Sequence, residues 1–262
     1  MRRPGVISAE VDQINIVVLI SAKVRTRCWV VAIASLSLGG AIVGGDLPHE
    51  RIVYTTVRPA NWELFVFDHD ASSPKHGQPP RQLTDDPALD YDPTLSPDGR
   101  WVVFCSERSG NPDLYALDLE DPSKPRQLTR DPFLEAAPAF TPDGKSLLCV
   151  SDRNGNADIF VMPFSPNEPA GGVKATNLTK NASGDYRPAI SPDGKTIAFS
   201  SDRDTWIETI NDRKTAIRCE IYLMNIDGSN PRRLTNSNAF NGSAIFVRHN
   251  VIKLHDADVP TG

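Results

Sequence analysis

Two glycine-lysine turns are the first residues in this chain with the types that chemistry would need. Gly144-Lys145-Ser146 and Gly194-Lys195-Thr196 have the ending of a phosphate-binding loop, in which backbone amides cradle the phosphate and the lysine reaches over it. That loop also needs an earlier glycine and a helix after it. Here Ala139 and Ala189 hold the glycine position, and the residues after each turn read as a β-hairpin. Nucleophilic chemistry lacks its Gly-x-Ser-x-Gly elbow and zinc chemistry its His-Glu-x-x-His, and the five histidines at 49, 69, 76, 249 and 255 form no set. No catalytic residue, metal or cofactor is expected, and the chain reads as non-enzymatic.

The remaining candidates are recognition residues. Tyr91-Asp92 and Tyr186-Arg187 recur at one spacing, with Ala136 where a third tyrosine would fall, and a long insertion carries Trp206 and Arg213. Arginine, carboxylate and aromatic groups together suit polar or peptide recognition through charge-assisted hydrogen bonds and aromatic anchors.

The elements that position them are repeats. Ser96-Pro97-Asp98-Gly99, Thr141-Pro142-Asp143-Gly144 and Ser191-Pro192-Asp193-Gly194 each open a unit, at intervals of 45 and 50 residues. Each turn leads into an apolar run, then Ser-Glu-Arg at 106–108 or Ser-Asp-Arg at 151–153 and 201–203, then Asp113-Leu-Tyr, Asp158-Ile-Phe or Glu220-Ile-Tyr, and finally Leu-Thr at 128–129, 178–179 or 234–235. Residues 52–84 fit the same frame without its opening. The apolar segments are too short for helices and are bounded by Gly, Asn, Asp and Pro, so each unit predicts four short strands. Proline pre-sets φ in the turn, and glycine takes the left-handed position after it. A period of this length marks stacked β-blades. The expected fold is all-β: a propeller of about four recognisable four-stranded blades, the first incomplete, either closed as a small ring or part of a larger one.

The Pro-x-x-Ser-Pro-Asp-Gly-Lys/Arg opening, the Ser-Asp-Arg corner, the Asp-Ile-Tyr strand and the terminal Leu-Thr resemble the WD-like propeller repeat of the periplasmic TolB proteins, over roughly residues 50 to 236. The resemblance implies a periplasmic or secreted binding scaffold of Tol-Pal type with a protein or peptide partner. It also implies six blades and an amino-terminal α/β domain, for which the register has no counterpart. One propeller fold hosts many activities. A propeller enzyme or a hydrolase's regulatory propeller acting on peptide or carbohydrate is one alternative, and a remnant without independent function is another.

In a propeller the b–c and d–a loops share one face and the Ser-Pro-Asp-Gly a–b turns lie on the other. That places Tyr91, Asp92, Tyr186 and Arg187 on one face, together with the insertion from Asp204 to Cys219, sixteen residues where two other units have four. An exposed aromatic and arginines on a long loop suit an interaction site. The corner arginines Arg108, Arg153 and Arg203 recur in every unit and are expected to hold neighbouring blades together.

Residues 1–45 read as a leader, with a secretory signal or membrane anchor at 28–45 after Lys23, Arg25 and Arg27; 46–240 hold the repeats; and 241–262 are an atypical tail in which Ser243–Val247 could supply the strand missing from the first blade. A net charge of −5 with no basic run argues against nucleic acid. Membrane contact is expected only through an uncleaved amino terminus, and an open ring would invite oligomers. Of the four cysteines, Cys105 and Cys149 stand one position out of register in equivalent strands, so their side chains should point to opposite faces of their blades, as free thiols.

Overall fold

Each apolar run after a Ser/Thr-Pro-Asp-Gly turn is a strand, because the turn fixes its start by hydrogen bonds within four or five residues. The Gly99 amide donates to the Ser96 carbonyl at 2.8 Å, and the Ser96 hydroxyl accepts the Trp101 amide at 2.8 Å while donating to Asp98 at 2.5 Å. Gly99, Gly144 and Gly194 have φ of 72°, 69° and 73°, the left-handed region that glycine enters without a Cβ penalty. The computed structural model describes residues 8–11, 14–20, 51–58, 61–68, 78–204, 208–210, 213–215, 219–237 and 241–247, of which 8–11, 14–20, 51, 57–58, 68, 208–210, 213–215 and 247 as backbone.

In chain order the strands are β1 (Ser8–Val11), β2 (Ile14–Ile20), β3 (Arg51–Arg58), β4 (Asn61–Asp68), β5 (Arg81–Gln82), β6 (Asp90–Leu95), β7 (Trp101–Ser106), β8 (Asp113–Asp118), β9 (Arg126–Gln127) and β10 (Glu135–Phe140). They continue as β11 (Ser146–Ser151), β12 (Asp158–Pro163), β13 (Thr176–Asn177), β14 (Asp185–Ile190), β15 (Thr196–Ser201), β16 (Glu208–Ile210), β17 (Arg213–Thr215), β18 (Glu220–Asn225), β19 (Arg232–Arg233) and β20 (Asn241–Val247). Three antiparallel sheets are complete four-stranded blades, β6-β7-β8-β9, β10-β11-β12-β13 and β14-β15-β18-β19; the first blade, β3-β4-β5, has three strands. The fold is therefore the expected β-propeller array with an incomplete first blade. The strands β6, β10 and β14, first in their blades, lie side by side and define the inner edge. The insertion is a β-hairpin, β16-β17, where sequence suggested a loop.

The middle strands are buried on both faces, which is why they read as continuous apolar runs rather than alternating ones. Val102 and Phe104 pack toward the first blade with Leu64 and Val66, while Val103 and Cys105 pack toward the third with Leu147 and Phe160. Leu148 and Ile159 then meet Ile197 and Phe199 of the fourth blade. Each fully buried Phe or Leu contributes roughly 1.5–3 kcal/mol. Cys105 and Cys149 do point to opposite faces of their own blades, and for that reason both enter the same core between the second and third. Both are free thiols, as is Cys219.

The repeat's polar residues are structural. Arg108, Arg153 and Arg203 reach the buried acid at the start of their own blade, Asp90, Glu135 and Asp185, at 2.7, 2.9 and 2.9 Å. Each also donates Nε–H to the serine that opens the corner and stacks over an aromatic ring, Tyr115, Phe160 or Tyr222. This corrects the expected inter-blade bridge. The primary pairing ties strand b to strand a within a blade, and weaker contacts reach Asp86 and Asp131 in the connection from the preceding blade. The terminal Leu-Thr acts in a similar way. The Thr129 hydroxyl accepts the Leu114 amide at 2.9 Å and donates to Asp113 at 3.1 Å, closing strands c and d.

β20 packs beside β14 and places Asn241 where the other blades have their buried acid, with its amide side chain donating to the Cys219 carbonyl and to Glu220. The strand expected to complete the first blade thus forms, and its hydrogen-bonded partner is β2 rather than β3. Residues 28–45 lie outside the described residues, while β1 and β2 fall within the stretch read as a leader. No helix among the described residues is long and apolar enough to cross a membrane.

Candidate functional site

Side chains that repeat in every blade are spoken for by the corner, the turn and the strand closure. The variable ones on the b–c and d–a face carry the candidate site. On the inner edge, β6, β10 and β14 each shift register by a bulge, between Tyr91 and Thr94, Ala136 and Ala139, and Tyr186 and Ala189. At its centre Asp92, Ala137 and Arg187 have φ of 50°, 49° and 50°, although none is glycine. Such backbone is held by surrounding structure, and bulges re-aim a side chain out of the sheet's alternation. The bulge gives three equivalent inner-edge positions a carboxylate, a methyl and a guanidinium.

Asp92 and Arg187 belong to the second and fourth blades, with Ala137 between them. Burial pushes the Asp92 carboxyl above its usual range, and the Arg187 charge pulls it back, so the two groups share one electrostatic environment across the intervening blade. Tyr91 stands beside Asp92 and meets Trp62 of the first blade edge-on at 5.8 Å between ring centroids. Burial also pushes its phenol well up. Tyr186 folds over Gly184, where any Cβ would collide with its ring, and its hydroxyl donates to Asp202 at 3.4 Å; burial and Asp202 push the phenol up to about 12.

Trp206 lies outside the described residues. Arg213 is in β17, opposite Ile210 in the hairpin, whose strands, among the described residues, pair only with each other. The structure therefore groups Tyr91, Asp92, Tyr186 and Arg187 at the inner edge and sets the hairpin apart on the b–c connection of the fourth blade. Two residues escaped sequence reading. Trp62 is 38% exposed and Phe133 39%, and with Tyr186 they put three exposed large aromatics on this face. Trp62 stands at the b–c end of β4 and Phe133 in the d–a connection, so their placement followed from the repeat register; their exposure did not.

Among the described residues no group of three or more His, Cys, Asp or Glu is arranged to hold a metal. The most perturbed carboxyl, Glu135, is pushed up to about 8 by burial and by Asp131, with Oε2 buried and unpartnered. It is sealed inside the corner of the third blade.

Stacked blades of this connectivity, with an inner edge of bulged strands, define a β-propeller. Residues 123–206 match the TolB beta propeller domain family. The chain is 34% identical over 74 residues to the TolB homolog of Chlorobaculum tepidum, covering 28% of this chain and 16% of that protein. It is 42% identical over 40 residues to the Tol-Pal system protein TolB of Bordetella pertussis, covering 15% of this chain and 9% of that one. The crystal structure of TolB from Acinetobacter baumannii superposes with a TM-score of 0.53 at 24% identity, over 71% of this chain and 40% of that chain. A Mycobacterium tuberculosis puromycin-hydrolyzing peptidase superposes at 0.52 and 20% identity, over 80% and 32%, a likeness of fold alone. The fold is a β-propeller, and its repeats over residues 123–206 are similar to those of the TolB beta propeller domain. The chain's matched stretches span well under half the length of these TolB proteins.

Proposed function

We propose that this chain is a non-enzymatic periplasmic or secreted scaffold that binds a protein partner of a Tol-Pal type system through its b–c and d–a face. One observation carries the reading: Trp62, Phe133 and Tyr186 are exposed on the face where Asp92 and Arg187 occupy the bulged inner edge. Exposed aromatics and arginine around a partly desolvated charged centre are the composition of protein-binding hot spots. The Tol-Pal system enters through the names of the TolB relatives.

The test is titration of the same organism's Tol-Pal system proteins into the full chain by calorimetry. A binding partner should lose roughly tenfold or more in affinity with Trp62→Ala plus Phe133→Ala, or with Asp92→Asn plus Arg187→Gln, since each hot-spot truncation costs on the order of 1–2 kcal/mol. Absence of binding by any of those proteins, or binding indifferent to both pairs, refutes the assignment.

A further inference from the structure

The opposite face carries a second, blade-specific feature. Between the a–b turns of the second and third blades lies a cleft of about 650 Å³, within the size range of ligand sites. Phe164 and the small part of Trp101 left exposed (9%) beneath Arg100 and Arg126 form its apolar wall, in edge contact with ring centroids 5.9 Å apart, and Phe164 is backed by Phe140 at 4.9 Å. None of this belongs to the repeat. The positions equivalent to Trp101 are Ser146 and Thr196, and those equivalent to Phe164, fixed by the same backbone hydrogen bond after strand c, are Leu119 and Ile226.

The arginine in this cleft differs from the others described above. Arg108, Arg153 and Arg203 each hold a buried acid, and Arg100, also at the cleft, is bound to Asp118 at 2.8 Å. Arg126 is half-buried and stacked 4.9 Å over the Trp101 ring, and it donates to the neutral side-chain oxygen of Asn167. Among the described residues it makes no ion pair, although its charge reaches the Asp118 carboxylate that Arg100 holds. A guanidinium held in place by an aromatic ring and an amide, facing a cleft, retains donors for an anion, and its planar fork matches a carboxylate.

We infer that the cleft between the second and third blades is a binding site for the free carboxyl terminus of a peptide, with Arg126 taking the carboxylate and the Trp101–Phe164 wall taking an apolar last side chain. Asp98 and Asp143 at the turn tips border the mouth. Asp143 is kept below its usual range chiefly by the Thr141 hydroxyl, and Asp98 accepts the Arg100 amide. A second carboxylate upstream in the peptide would therefore be repelled, and neutral or basic residues favoured there.

The probes are acetyl-Ala-Ala-Phe with a free carboxyl terminus and the same peptide as its terminal amide, titrated into the full chain by calorimetry. The acid should bind at least tenfold more tightly than the amide. Arg126→Gln should bring the two to parity, and Arg126→Lys should keep part of the preference. Should Arg126→Gln not fold, the indole N–H resonance of Trp101 in the unaltered chain, assigned through Trp101→Phe, distinguishes the same two outcomes: it must shift with the acid and stay with the amide. Equal affinity for acid and amide, no binding of either at millimolar concentration, or a preference that survives Arg126→Gln overturns the proposal. Trp62→Ala plus Phe133→Ala on the other face should leave the preference unchanged, which separates this site from the one proposed above.

Discussion

Replacing Arg203 with methionine tests whether the corner holds each blade together. Asp185 has no exposed side-chain surface and Arg203 about a fifth of its own, so removing the guanidinium strands a carboxylate in a nearly dry site. Breaking a buried pair from one side costs about 3–5 kcal/mol. Here the lower end applies, because Arg203 is partly solvated and methionine still covers the Phe199 and Tyr222 rings that the guanidinium stacks on. The expected loss is about 3 kcal/mol at pH 7, or a Tm lower by roughly 6–12 °C for a chain of this size. Burial already raises the Asp185 carboxyl, chiefly against the hydrogen bonds of Ser201 and Arg203. Without Arg203 it rises further, and a carboxyl raised by folding contributes stability that is lost as pH increases. The deficit should thus be larger at pH 7 than at pH 4, and Asp185→Asn in the same chain should recover more than half of it. Thermal and urea melts at the two pH values decide the matter. A variant within about 1 kcal/mol of the parent at pH 7, or no recovery with asparagine, would refute the reasoning.

Two further outcomes rest on backbone and burial. Gly228 has φ of 83° and a Cβ there would lie 2.5 Å from the Leu178 carbonyl oxygen of the preceding blade, so Gly228→Ala should cost about 2 kcal/mol or more in urea melts. Gly99→Ala meets no neighbour and should cost about 1 kcal/mol from φ alone. Glu135, raised in the fold to about 8 from 4.5, gives a contribution that is complete below about pH 4.5 and lost as pH climbs to about 8; Glu135→Gln should flatten stability over that interval, and an unchanged slope in melts at several pH values would be the contrary result.

The repeat was legible because its determinants are local. The turn closes over five residues, and the Leu-Thr closure pairs residues 14 to 20 apart within one unit. The corner was legible as a motif but its partner was misassigned, even though each arginine lies 18 residues after its acid in all three blades. That constancy was the available signal. The bulge was not legible: nothing in Asp92-Pro93, Ala137-Pro138 or Arg187-Pro188 signals left-handed backbone, and a residue before proline ordinarily favours extended conformations. Contacts between blades were also hidden, because they depend on the rotation from one sheet to the next. Hence the register that puts Cys105 and Cys149 on opposite faces does not disclose that they enter one core, and nothing in the residues before Leu128-Thr129 discloses that Arg126 stacks on Trp101.

The Ser/Thr-Pro-Asp-Gly turns touch one another in sequence: a Cβ on Gly144 would meet Pro97 at 3.4 Å, and one on Gly194 would meet Pro142 at 3.7 Å. The middle turn therefore presents its Pro142 ring to the blade after it and the bare α-carbon of Gly144 to the blade before it. A duplicated unit inserted between two others would arrive with both halves of that fit, so gene duplication can lengthen the array without new compensating substitutions at the turns. The same fit makes Gly144 and Gly194 answerable to the preceding blade as well as their own, and a change there propagates to a neighbour whose own sequence is untouched.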